Sequence, residues 1–285
     1  MSATKALHYV TTAMALAVIA CGPTIRGVIP SATSPQTPTS GGLETAVYEA
    51  IPAVTSPASP SADEAILILA PGAGSRLVGR VHVEGVADST FEQALLVEVV
   101  AFGDAGETVL ASVPTTIEAE LGARGPYSAE VIFETAAAGD MAGEVRVFAS
   151  SPRDGGITHL ASVPVTLAAG GAEDIRPGEM HPERILIVAP TPGQAVVGGV
   201  VHVEGIALAT FEGTLVVEIY DVDGTLIGSS PTTVAAPDMG LPGPFAVDLA
   251  YTASAAWPAR VVVRDPSPAF GQTVHLASVE IRIEP

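Results

Sequence analysis

Basic residues are scarce in this 285-residue chain: 12 Lys and Arg stand against 31 Asp and Glu, a formal net charge of −19. Nucleic acids are held through Lys and Arg that neutralise phosphate, so this balance excludes a nucleic-acid partner. Cysteine is scarcer still. Cys21 is the only one, so no disulfide can staple the fold and packing alone has to hold it. Aromatic side chains make up 5% of the chain, which leaves few rings on which a glycan could stack. Long apolar runs are absent too: the uncharged stretch from Tyr9 to Ala20 is too short for a comfortable transmembrane helix. Amphipathic helical periodicity is missing between the apolar segments, which excludes an α/β layout.

What the chain does have is a duplication. Val81-His82-Val83-Glu84-Gly85 returns as Val201-His202-Val203-Glu204-Gly205, and Phe91-Glu92 returns as Phe211-Glu212. An apolar run ending in Ala-Pro precedes each copy, at Ile66 to Pro71 and Ile185 to Pro190. Pro-Thr-Thr (114–116, 231–233), Gly-Pro-aromatic (125–127, 243–245), Ser-Pro (151–152, 267–268) and His-Leu-Ala-Ser-Val (159–163, 275–279) follow in the same order. Two copies of one domain of about 100 residues each fit the length, and each is large enough for a core of its own.

Ahead of the repeats stands a different kind of sequence. Lys5 is the only charge in the first twenty residues, an apolar segment follows, and Val18-Ile19-Ala20 leads into Cys21. This resembles the bacterial lipobox, which implies a lipoprotein signal peptide over 1–20 and a lipidated Cys21 as the membrane anchor. Residues 21–63 are rich in Pro, Ser, Thr, Ala and Gly. Such sequence buries too little apolar surface to offset its ordering entropy, and is expected to be a disordered tether lifting the domains off a membrane.

Within each repeat the hydrophobic period is two. Val81 and Val83 alternate with His82 and Glu84, and Leu95 to Val99 and Leu215 to Ile219 continue the pattern up to turn signals at Gly103-Asp104-Ala105-Gly106 and Asp221-Val222-Asp223-Gly224. About seven short strands per repeat, punctuated by 29 Gly and 24 Pro, predict an all-β fold. The chain is read as two tandem immunoglobulin-like β-sandwiches, at 64–169 and 185–285, joined by an exposed linker at 170–184. The order of Val203-Glu204-Gly205, Phe211-Glu212-Gly213, Asp221-Val222-Asp223-Gly224 and Gly243-Pro244-Phe245 resembles the immunoglobulin-like domain associated with bacterial spore germination proteins. The first repeat departs from it at Gln93 and Tyr127. That resemblance implies envelope-exposed modules, often on lipoproteins, with no activity assigned by membership.

Candidate chemical residues are few. Parity turns His82 and His202 to water and leans His159 and His275 inward, so the four do not converge and no metal site or cofactor is expected. Asp221 and Asp223 offer carboxylates to Ca²⁺, but the first repeat keeps only Asp104, and a hairpin turn accounts for both. Glu84 with Glu92, and Glu204 with Glu212, are the only acid–base pairs suggested, and exposed strand glutamates are ordinarily just solvated. Ser162 and Ser278 sit mid-strand, where no nucleophile elbow forms. Phe91 and Phe211 are expected to be core plugs, Gly213 to ease the bend beside Phe211, and Trp257 to pack at a strand corner. The expectation is therefore a non-enzyme: a lipid-anchored extracytoplasmic protein of the cell membrane or outer envelope, presenting two domains for protein binding or scaffolding. The alternative is a carbohydrate- or cell-wall-binding lipoprotein using Trp257, Tyr220 and neighbouring acids.

Overall fold

The computed structural model describes residues 63–103, 106–135, 139–208, 213–238 and 240–285. The signal segment, Cys21, the tether, Asp104, Phe211 and Glu212 lie outside the described residues. Among the described residues are sixteen strands in two copies of one arrangement. In the first copy β1 (Ile66–Ala70), β3 (Arg80–Ala87) and β6 (Gly125–Ile132) form a three-stranded sheet in the order β1-β3-β6. Across the core lie β5 (Gly106–Thr116), β4 (Ala94–Gly103), β7 (Met141–Ser150) and β8 (Ile157–Ala168), in that order, and β2 (Arg76–Val78) adds to β8 in parallel. The second copy repeats this with β9 (Ile185–Ala189), β11 (Val200–Ala207) and β14 (Gly243–Ala250) facing β13 (Leu226–Thr233), β12 (Thr214–Tyr220), β15 (Trp257–Pro266) and β16 (Thr273–Ile283). Here β10 (Ala195–Val196) adds to β16 in parallel. Each copy is an immunoglobulin-like sandwich.

The repeated motifs have physical roles in these sandwiches. Along β3 and β11 Val81, Val83, Val201 and Val203 are buried and the alternating His and Glu exposed, the pattern of a strand with one wet face. Gly85 pairs with Tyr127, and Gly205 with Phe245, across neighbouring strands. A Cβ on either glycine would overlap both the opposing ring and the carbonyl of Leu67 or Leu186. Val-Glu-Gly and Gly-Pro-aromatic are thus two halves of one packing unit: the glycine makes room and the ring fills it. Pro-Thr-Thr lies on β5 and β13, the two outer edges of the larger sheets. Proline withholds a ladder donor from would-be partners there. The middle threonines, Thr115 and Thr232, donate across the gap to the carbonyls of Ser128 and Ala246, closing each sandwich along that side. The peptide bonds before Pro71 and Pro190 are both cis.

Two separate apolar cores follow, one built around Val83, Val97, Val147 and Leu167, the other around Val203, Val217, Val263 and Ile281. The sandwiches are nevertheless not beads on a string. β8 and β16 pair antiparallel, with His159 opposite Ala277, Leu160 opposite Leu276 and Ala161 opposite His275. The two larger sheets therefore run together as one ten-stranded sheet. Residues 170–184, expected as an exposed linker, are exposed in most side chains up to Pro182 but tied down in their backbone. Gly72 and Gly178 donate to Arg176 and Leu69 carbonyls at 2.7 Å, and Arg76 and Asp174 exchange both backbone hydrogen bonds. A strap anchored in this way satisfies the free edge of the first sandwich.

One apolar expectation changes. Phe91 is 58% exposed, in a short 3-10 turn, while Gln93 beside it is buried. The Gln93 amide donates to the carbonyls of Ala119, Glu120 and Ala123. In the first repeat the plug at the sheet-to-sheet crossing is therefore Gln93. Gln93 has φ 58 and its counterpart Gly213 has φ 62. The second repeat meets this left-handed conformation with glycine, and the first offsets its strain with three hydrogen bonds.

Candidate functional site

His-Leu-Ala-Ser-Val is the junction motif. Because Leu160 and Leu276 are the equivalent residues of the two repeats and lie directly opposite each other, a local pseudo-two-fold axis passes between them. The flanking serine contacts obey it. Ser162 Oγ donates to the Val274 carbonyl at 2.9 Å, and Ser278 Oγ donates to the Thr158 carbonyl at 2.7 Å. On one face of the joined sheet Leu160, Leu276, Phe148 and Val262 form a third apolar cluster, with Tyr220 and Ile157 packed against it. The strand pairing and the two serine contacts, each repeated with the equivalent residues exchanged, have the isologous geometry of a symmetric dimer written within a single chain.

The opposite face is polar. His159 and His275 precede the two leucines, so strand parity sends both rings to the other side, where they meet edge to face with centroids 5.4 Å apart. Glu64, just ahead of β1, and Glu183, just ahead of β9, approach from the smaller sheets. Glu64 and His275 are fully enclosed, and the side chains of Glu183 and His159 are 7% and 16% exposed. Each glutamate uses Oε2 to accept a backbone N–H of the other repeat: Glu64 from Arg184 at 3.0 Å, Glu183 from Ala65 at 2.8 Å. This turns both Oε1 atoms inward. The Nε2 of His275 lies 3.2 Å from each Oε1, and the Nε2 of His159 lies 3.6 Å from that of Glu64 and 3.8 Å from that of Glu183. Burial pushes the Glu64 carboxyl up, but its contacts with His159 and His181 and the charge of His275 outweigh this and hold it well below the usual range. Glu183 is likewise held down against burial, chiefly by His275. Burial draws His159 down, and the two glutamates more than reverse it. A groove of about 320 Å³, lined by Ala65, Asp88, Phe91, Pro152, His159 and Glu280, opens beside His159.

A third set of contacts flanks this cluster. Asp154, in the turn after β7, receives both terminal nitrogens of Arg260 on β15 at 2.9 Å each, with the two side chains 1% and 3% exposed. A Cβ on Gly156 would overlap the Arg260 guanidinium, so glycine there lets the arginine in. Arg153 pairs with Glu280 at 2.6 Å nearby.

The remaining sequence candidates do not assemble into a second site. His82 and His202 face water and pair across their own sheets with Glu130 at 2.7 Å and Asp248 at 2.6 Å. Glu84, Glu92 and Glu204 are exposed. Asp221 Oδ1 accepts the backbone N–H groups of Asp223 and Thr225, which makes it the cap of its hairpin turn. Trp257 packs against the second core, and Tyr220 is half-buried, its ring under Arg260 at 5.9 Å and its hydroxyl on Glu218. Phe270, half exposed, stacks on Phe102 at 4.7 Å.

With this geometry in view, comparison with known proteins is informative. The sequence family described as the immunoglobulin-like domain of bacterial spore germination matches residues 65–156 and again 184–272. The chain belongs to that family. Its two spore-germination-type domains correspond to the two sandwiches, and membership supports a binding or scaffolding role. The four junction residues Glu64, His159, Glu183 and His275 all fall just outside the matched segments. No curated protein matches the chain. Among solved structures a red sea bream transglutaminase aligns at 10% identity and TM-score 0.28, over 78% of this chain and 31% of that one. The chain thus spans less than a third of that protein's length.

Sequence reading leans His159 and His275 inward but expects no convergence, whereas their rings meet at 5.4 Å. The missed signal is a repeated glutamate, Glu64 and Glu183, two residues ahead of each Ile-Leu-Ile run.

Proposed function

We propose that this chain is a lipid-anchored, extracytoplasmic envelope protein that presents two immunoglobulin-like domains as one body, for binding or scaffolding another envelope protein and without catalysis. The observation that carries the reading is the junction: edge pairing of β8 with β16 fuses the two larger sheets and sets the domains in one mutual orientation. A fixed pair of domains offers a continuous surface at no entropic cost of arranging it on binding. Family membership supports a module of this kind. The lipobox-like segment ending at Cys21 supplies the anchor. A glycan-binding role is disfavoured by the aromatic residues, since Trp257 is spent on the core and Tyr220 on the junction.

Fractionation of cells carrying Cys21→Ala tests the anchor: the variant is expected to leave the membrane fraction or to accumulate unprocessed. A variant that fractionates and migrates like the parent contradicts lipid attachment. Chemical crosslinking of the anchored protein in intact envelopes tests the role, with a defined protein adduct expected and purely glycan adducts opposing it.

A further inference from the structure

We propose that Glu64, His159, Glu183 and His275 bind a single divalent transition-metal ion of the zinc class, which staples the two domains together. The ligand atoms, Glu64 Oε1, Glu183 Oε1, His159 Nε2 and His275 Nε2, all lie within 4.8 Å of one another. Tetrahedral zinc with bonds of about 2.0–2.1 Å has ligand–ligand edges of about 3.3 Å. Four of the six edges here measure 3.2, 3.2, 3.6 and 3.8 Å, each within about 0.5 Å of that geometry, and the other two are no longer than 4.8 Å.

Direct histidine–carboxylate pairing is the competing account, and the same molecule supplies the comparison. Where His82 and His202 pair with acids on the surface, the distances are 2.7 and 2.6 Å, as charge-assisted bonds should be. Of the four buried groups only His275 and Glu183 share a hydrogen bond, a long one at 3.2 Å, and the other pairs stand at 3.2–3.8 Å around a shared centre. Glu64 Oε1 and His159 Nε2 are enclosed and have no hydrogen-bond partner. A single Nε2–H on His275 faces two carboxylate oxygens and cannot point at both. An ion at the centre satisfies all four atoms together, and its two positive charges balance the two carboxylates.

The surroundings are those of a built site. Both glutamates are oriented by backbone N–H groups on their outer oxygens, the outer-shell support that metal-binding carboxylates ordinarily have. Two imidazoles and two carboxylates suit zinc and its neighbours and not magnesium or calcium, which prefer all-oxygen sets. The groove beside His159 gives the ion a way in. Two ligands come from each repeat, so binding acts on the junction and not within either sandwich.

The test uses the full-length chain in detergent, stripped with chelator and then titrated with Zn²⁺, and separately with Co²⁺ and Mg²⁺. The parent and the His82→Ala/His202→Ala control, which removes the exposed histidines, are expected to take up about one Zn²⁺ per chain. At a 100-fold excess over Kd, Tm should rise by about 5–10 °C. Co²⁺ should give the intense visible bands of a tetrahedral site, and Mg²⁺ should do nothing. Glu183→Gln keeps the side chain's shape and an acceptor for Ala65, and His275→Gln removes an imidazole. Each should weaken Zn²⁺ binding by roughly 100-fold and abolish the Co²⁺ bands. Circular dichroism and the metal-free melt of Glu183→Gln identify any variant that has failed to fold, and Glu183→Gln alone then decides. Zn²⁺ uptake that is equal in parent and Glu183→Gln, or lost in the His82/His202 control, or absent from the parent, overturns the proposal.

Discussion

Arg260→Ala removes half of an ion pair that water does not reach, and its cost can be worked from the contacts. Arg260 makes two 2.9 Å bonds to Asp154, and the side chains are 3% and 1% exposed. Deleting one partner of a buried pair leaves the other charge without compensation, a loss of about 3–5 kcal/mol. With a urea m-value near 3 kcal/mol/M, the midpoint should drop by roughly 1–1.7 M. Asp154 also gives the loss a pH signature. Burial pushes its carboxyl up, but Arg260, the Gly156 N–H and Ser151 hold it at about 2, below the ordinary value of 3.8. A carboxylate held down in the folded state contributes its full stability above the unfolded value, and loses it as pH falls through the folded one. The parent should therefore lose this contribution between about pH 4 and pH 2. Arg260→Ala should show a smaller acid-side loss, since only the Gly156 N–H, Ser151 and Arg153 then oppose the effect of burial on Asp154. Urea titrations at pH 7, 4 and 2.5 read both effects. Asp154→Asn/Arg260→Met, which leaves no buried charge, should recover part of the stability. A midpoint unchanged in Arg260→Ala, or strict additivity of the two sites, would refute the assignment of this pair as a junction lock.

Two further outcomes follow from the fold. Gln93→Leu should destabilise the first sandwich by about 1–3 kcal/mol, since three carbonyls lose their donor, whereas Phe91→Ala on the exposed side of the same turn should stay within about 0.5 kcal/mol in a thermal melt. Fragments 64–169 and 185–285 each hold a complete core and should each unfold cooperatively, but at lower Tm than in the intact chain, because both Leu160 and Leu276 become exposed. A fragment with no cooperative transition would mean that neither core stands without the junction.

Much of the fold was legible in the sequence because its causes are local. Period-two alternation gives the strands, and the matched order of motifs gives two copies of one sandwich. The junction was not legible, because edge-to-edge pairing of β8 with β16 leaves no periodic trace in either strand. Parity turned His159 and His275 inward correctly, yet it could not say that they face each other across a seam. Gln93 escaped for a related reason. A polar side chain at a crossing reads as exposed until the three carbonyls that receive it are brought together by the folded loop. Phe91, by contrast, was judged by its size, and size alone does not bury a ring.

The central claim is that the β8–β16 seam makes one body of two repeated domains. Its most direct test is a pulsed electron-spin distance between nitroxides at His82→Cys and His202→Cys, exposed positions on the two smaller sheets, in a Cys21→Ser background. A single narrow distance distribution is expected, broadening when Leu160 and Leu276 on the local axis are both changed to Asp. A broad distribution in the otherwise unaltered chain would mean that the domains move independently, and would contradict the account.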